Sequence, residues 1–195
     1  MKNKAYNRFA FIDTETGGTI PTKHTLLSIG IVIWDQEQGV LDQKEFFIKS
    51  SRYVVTKEAQ RINKFNKLEH NRIAQDPKHV IDELLSFLYC YFPTNSYIPI
   101  AGQNVQFDVN FLKVFFKKNG RSFNQYFSHR IMDMYSVYKT LILGGVIPIN
   151  LDSSAEVFSY FKIKVSKRHD ALSDCIATVE LYEKMLDLIA ENSGT

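Results

Sequence analysis

Phe9 to Gly18 reads FAFIDTETGG, an apolar run that stops in two carboxylates two residues apart. Side chains alternate between the faces of a β-strand, so Asp13 and Glu15 share a face, about 6.6 Å apart at ~3.3 Å per residue. Like charges at a buried strand end repel, and a fold retains them when a cation neutralises them; hard divalent ions take oxygen ligands of this kind. The same D-x-E pattern also starts solvated loops and caps helices, so its meaning depends on partners elsewhere in the chain. Gly17 and Gly18, which carry no Cβ, let the backbone approach a ligand closely.

The chain around this stretch has 195 residues, which suits one domain over 1–195 with a real core. Apolar residues at 45% and charged residues at 23% are ordinary globular values and exclude a largely disordered chain. The net charge of +3, from 24 basic and 21 acidic residues, lacks the basic excess of a duplex-coating protein, so any nucleic-acid contact is a local patch. Cys90 and Cys175 stand in no metal-ligand spacing and read as two buried thiols in a reducing compartment. The N-terminal MKNKAYNRF has no apolar core of a leader, and no run approaches the ~18 apolar residues of a membrane span; the expected place is the cytoplasm.

Moving outward, Leu26–Trp34 (LLSIGIVIW) reads as a second strand, Asp35–Gly39 as a turn and Val40–Ile48 as a third strand, an antiparallel meander with the first. Ser51–Gln75 holds two short amphipathic pieces, and Asp76-Pro77 starts a helix whose face carries Val80, Leu84 and Leu88. Tyr97–Gly102 is a short strand, which Pro99 marks as an edge or irregular one. A helix from about Phe107 stops at Gly120, Asp133 caps another to Gly144-Gly145, and Ser153 with Glu156 forms a capping box. A last helix runs from near Asp170 to about Ala190. Strands interleaved with helices give an α/β class around a mixed sheet.

Two further stretches supply acids. In GQNVQFDVNFL, Gly102–Leu112, Asp108 falls in the first turn of a helix, where an acid also complements the helix dipole with no further purpose. In RHDALSDCIAT, Arg168–Thr178, Asp174 lies about one turn into the final helix. His169 stands five residues before it, on the preceding loop, because that separation at ~100° per residue would put the two on different faces of one helix. The other histidines, His24, His70, His79 and His129, read as surface or helix residues.

FIDTETGG, GQNVQFDVNFL and RHDALSDCIATVELY resemble, in order and spacing, the three motifs of the DEDDh branch of the DnaQ-like 3′→5′ exonucleases, the group of the proofreading epsilon subunit, ribonuclease T and oligoribonuclease. The resemblance runs from Phe9 to about Leu186. It implies a ribonuclease-H-like fold, with a five-stranded mixed sheet flanked by helices. Carried over by position, it implies Asp13, Glu15, Asp108 and Asp174 as ligands of two divalent ions, Mg²⁺ or Mn²⁺, and His169 as the general base. It departs at Gln103, where histidine often precedes the asparagine, Asn104, of the second motif, and at Ile62–Phe65, which replaces a His-Gly-Ile-Thr type of turn.

The implied activity is hydrolysis at the 3′ end of single-stranded DNA or RNA, releasing 5′-mononucleotides by a two-metal mechanism. Thr16 and Gly17 would contact the terminal sugar, and Leu26 or Leu27 would press on the terminal base or else belong to the core. Lys162, Lys164, Lys167 and Arg168 would track phosphates or form a solvated loop. The alternative is an exonuclease-fold module that binds 3′ ends or a polymerase or RNA-processing partner without cleaving. No membrane partner is expected, and a homodimer or a polymerase partner is left open. Twenty-one residues follow Asp174, enough for one helix, which favours a stand-alone enzyme.

Overall fold

The computed structural model describes residues 7–149, 151–165 and 170–193. Strands β1 (Arg8–Thr16), β2 (Leu26–Asp35) and β3 (Gly39–Phe47) form the expected meander. Helices α1 (Lys57–Asn63), α2 (Lys67–Ile73) and α3 (Pro77–Tyr89) lead to β4 (Ile98–Gly102), which returns parallel to β1. Helix α4 (Gln106–Lys118) then leads to β5 (Phe127–Asp133), followed by α5 (Met134–Leu143), α6 (Ser154–Tyr160) and α7 (Ala171–Ser193). The strands form one mixed sheet ordered β3-β2-β1-β4-β5, an α/β ribonuclease-H-like architecture.

Every residue of β2 is buried, as its continuously apolar sequence requires when helices cover both faces. Ala10 and Ile12 of β1 pack with α3 and α4, whereas Phe11 packs with α5, α6 and α7. Period-two alternation therefore sends Asp13 and Glu15 toward the α7 side and Thr14 toward α4. The helix starts read in the sequence carry caps: Asp76 accepts from Lys78, Asp133 from Tyr135, and Ser153 and Glu156 bond reciprocally.

Two expectations, on His24 and Cys90, need correction. Of the two alternatives for β4, it is the irregular strand and not an edge: it lies between β1 and β5, with a register shift between Ile98 and Ile100 at Pro99 on the β5 side. His24 is neither at the surface nor on a helix but buried, its Nδ1 accepting from the Ile20 amide within the β1–β2 loop; His70 is a helix residue of α2, as expected, buried with its Nε2 against the Ile48 carbonyl. Cys90 is exposed at the end of α3, while Cys175 is buried with its thiol on the Phe11 carbonyl. No helix among the described residues is long and apolar enough to cross a membrane.

Candidate active site

Two glycines decide how closely the elements converge. Gly30 is paired with Asp13 across the β1–β2 ladder, and a Cβ there would overlap the carbonyl of Ala171 and lie 2.5 Å from the Leu172 amide nitrogen. Its bare backbone lets the start of α7 rest on the sheet directly over Asp13. At Gly102, a Cβ would fall 2.6 Å from the Ile12 carbonyl oxygen, so the β4–α4 turn hugs β1. Register also slips between Glu15 and Thr16, leaving Leu27 as the extra residue of β2, a bulge that ends regular pairing at the carboxylates.

Asp170 caps α7, its Oδ1 accepting from the Ser173 amide and hydroxyl at 3.2 and 3.0 Å. Asp174 thereby enters from the first turn of α7 and Asp108 from the first turn of α4, both at positive ends of helix dipoles. Carboxylate oxygens of Asp13, Glu15 and Asp174 lie within 4.8 Å of one another. Asp108 is buried beside them, held by the Thr14 hydroxyl, which donates to its Oδ1 at 2.5 Å. All four line a cleft of about 380 Å³ together with Thr14, Gln103, Asn104 and Phe107.

Crowding shows in the protonation of these acids. Burial, then the charges of Asp108, Asp174 and Glu15, push Asp13 well above the usual carboxylate range. Burial and Asp174 push Glu15 up to about 8, against a lowering hydrogen bond from Asn63. Burial pushes Asp108 up to about 7 despite the Thr14 hydroxyl. The donors are all hard oxygens, and the cluster is short of positive charge, so the residues present fit divalent ions of the Mg²⁺ or Mn²⁺ kind. Buried Gln103 Oε1, which has no hydrogen-bond partner among the described residues, is an additional acceptor beside the cleft.

Glu15 titrates near its ordinary 4.5 when unfolded and about 8 when folded, so between these values the folded state holds the extra proton. Its favourable contribution is present below about 4.5 and is lost as pH rises through about 8; Asp108 behaves likewise from 3.8 to about 7. Bound Mg²⁺ would replace those protons. The melting-temperature gain on adding Mg²⁺ is therefore expected to be larger at pH 8 than at pH 5.5, measured by scanning calorimetry; an equal or reversed difference would contradict the carboxylate assignment.

The other sequence-derived positions are spread around this cleft. Asn104 sits at its rim with φ 51, its amide donating to Asp133 Oδ1 at 3.2 Å. Thr16 and Gly18 line an adjoining hollow with Phe107 and Asn63. Gly17 spends both backbone groups internally, donating to the Thr25 carbonyl and accepting from Thr56, and a Cβ there would overlap the Val54 carbonyl. Leu26 and Leu27 are buried; Leu26 belongs to the α3–α4 core, and Leu27 lines a separate hollow on the Glu15 side. Lys162 and Lys164 follow α6, whereas Lys167, Arg168 and His169 lie outside the described residues.

Three neighbours were not singled out by the sequence reading. Thr14 is the residue between the two acids, and alternation alone points it at α4. Phe107, 37% exposed, directly precedes Asp108. Asn63 reaches Glu15 and donates to the Thr16 carbonyl at 3.1 Å, from the segment where the motif pattern departs.

The model of the exonuclease family (RNase T) matches residues 10–182. No curated protein matches the sequence. Among solved structures, E. coli exonuclease I in complex with a dT13 oligonucleotide is similar with a TM-score of 0.75 at 20% identity, over 95% of this chain and 43% of that one. The zinc-ion-bound form of the E. coli ExoI-ssDNA complex gives 0.72 at 21%, over 93% and 42%. Cell-death related nuclease 4 (CRN-4) gives 0.71 at 12%, over 93% and 64%. The chain thus spans less than half the length of exonuclease I. At these identities the likeness establishes the fold, and the family match extends over the strand and both helices that carry the four carboxylates: the chain belongs to the exonuclease family, within the DnaQ-like DEDD superfamily.

Proposed function

We propose that this chain is a divalent-metal-dependent 3′→5′ exonuclease that removes 5′-mononucleotides from single-stranded DNA or RNA. The observation that carries the reading is the meeting of Asp13, Glu15 and Asp174 oxygens within 4.8 Å, with buried Asp108 alongside, in a chain of the exonuclease family. E. coli exonuclease I has been solved with dT13 and dA16 oligonucleotides and with zinc, which supports a single strand as substrate and a divalent ion as cofactor.

Asp13, Glu15, Asp108 and Asp174 would hold two ions, Mg²⁺ or Mn²⁺. When bound, two such ions neutralise the attacked phosphodiester and lower the pKa of a water that attacks it. Thr14 keeps Asp108 in place through its hydroxyl, and Asn63 does the same for Glu15. Phe107, between the acidic cleft and the hollow lined by Thr16 and Gly18, offers a ring face to a terminal base. The imidazole of His169 would take the proton of the attacking water, a task suited to an unperturbed pKa of about 6.5.

The reading is tested with 5′-labelled single-stranded DNA and RNA oligonucleotides in Mg²⁺, Mn²⁺ or EDTA. A metal-dependent ladder that shortens from the 3′ end, with 5′-mononucleotides as products, is expected. Tight binding of the oligonucleotide with no ladder in either metal would instead establish the non-cleaving module.

A further inference from the structure

Away from the acidic cleft, four cations from three parts of the chain meet around one hollow. A hollow of about 300 Å³ is bordered by Lys23 from the β1–β2 loop, Lys49 and Arg52 from the segment after β3, and Lys118 from the end of α4. Each of the four cations is exposed, none forms an ion pair among the described residues, and no acidic residue lines the hollow. The floor is apolar, formed by Phe111 and Phe115 of α4. Phe111 and Phe115 are themselves buried, so what the hollow presents is its cations, which match the anionic phosphodiesters of a nucleic-acid strand.

One helix, α4, borders both the acidic cleft and the hollow, which share no lining residue. Phe107 lines the cleft, its ring centroid is 5.0 Å from that of Phe111, and Phe111, Phe115 and Lys118 follow at helical spacing. Ten residues separate Asp108 from Lys118, a rise of about 15 Å at ~1.5 Å each. At ~3.4 Å per stacked nucleotide, that is the reach of about four or five nucleotides.

We infer that this hollow is an upstream subsite, which grips the phosphodiester backbone of the same single strand whose 3′ end lies in the acidic cleft. The inference rests on the function proposed above and adds a length dependence: strands of about five nucleotides or more engage it, and di- and trinucleotides do not. The wall between hollow and cleft is rigid, because Gly17, Thr25, Val54 and Thr56 are joined by backbone hydrogen bonds of 2.7–3.2 Å and the Thr25 hydroxyl accepts from the Val54 amide. A strand would pass over this wall rather than open it.

The test compares wild type with the triple variant K49Q/R52Q/K118Q, and with the charge-preserving K49R/R52K/K118R, by fluorescence anisotropy in EDTA so that no strand is cut. Probes are a labelled dT3, a labelled dT12 and dTMP as competitor. The expected result is that the glutamine variant loses about tenfold or more in affinity for dT12, that the dT12-to-dT3 affinity ratio falls, and that the salt slope drops by about 2, at ~0.7 per lost phosphate contact on a single strand. The charge-preserving variant should retain the ratio, and melting temperatures check that all three proteins fold. An unchanged ratio, an equal loss for both lengths, or loss of dTMP binding alone overturns the subsite. If wild type cuts oligonucleotides while the ratio is unchanged, only the subsite falls; if wild type neither binds nor cuts them, the exonuclease reading falls with it.

Discussion

Asp13→Asn is expected to remove cleavage almost completely while raising the melting temperature of the metal-free protein. The two effects have one cause. Asp13 lies among Asp108, Asp174 and Glu15, and its carboxylate is disfavoured by burial and by all three charges. Asparagine has nearly the same shape, so it removes the charge without opening a cavity, and the metal-free site loses part of its repulsion. With metal the balance would invert, because one of the four carboxylates proposed to hold the ions would no longer offer an anionic oxygen. Losing several kcal/mol of transition-state stabilisation corresponds to about 10³-fold or more in rate. Single-turnover cleavage and calorimetry in EDTA read the two effects separately. A variant that is both inactive and less stable without metal would mark Asp13 as a structural residue instead.

Gly30→Ala should be nearly as damaging to activity, although Gly30 belongs to no motif and carries no functional group. The added methyl meets the backbone of Ala171 and Leu172, which has no rotamer by which to yield. Helix α7 must lift at its N-terminus, carrying Asp174 away from Asp13 and Glu15. Overpacking of this kind costs about 1–3 kcal/mol, or more where backbone is struck. For a chain of this size the melting temperature should fall by on the order of 10 °C. The Mg²⁺-induced gain in melting temperature should shrink as well. Gly144→Ala is the control: Gly144 has φ −79 and its Cβ would lie 3.3 Å from the Thr140 carbonyl oxygen, so little change is expected. Similar losses for both variants would show that contact with α7 is not the cause.

Gly30 illustrates what the sequence could not display. The four carboxylates were legible because each lies in a local signal, a strand-end alternation or a helix's first turn, and because three motifs recur in fixed order. The meander was legible from β2, whose unbroken apolar run is what burial on both faces demands. Strand β5 was missed because FSHRIMD is an edge strand with an exposed middle, which gives neither an apolar run nor clean alternation. Pro99 marked an edge or irregular strand because it lacks a donor, and it is the irregular one: Ile98 faces Phe127 but Ile100 faces Ile131, a two-residue shift on the β5 side that lets Pro99 sit inside the sheet.

The remaining omissions are tertiary. Asn63 acquires its importance from meeting Glu15 and the Thr16 carbonyl, a separation of 47 residues in the latter case, and no local pattern encodes that. His24 reads as a loop histidine until the turn around Ile20 closes over it. The basic hollow draws Lys23, Lys49, Arg52 and Lys118 from three parts of the chain, whereas the sequence drew attention to the contiguous run of cations beside His169.

The central claim is that Asp13, Glu15, Asp108 and Asp174 together hold divalent ions. It is tested most directly by counting bound Mn²⁺ from the electron paramagnetic resonance signal of the free ion, in wild type and in Asp13→Asn, with a 5′-mononucleotide present to complete the site. Two ions per wild-type chain, and loss of at least one in the variant, is the predicted result. No bound ion in wild type, or an unchanged count when Asp13 is replaced, would contradict it.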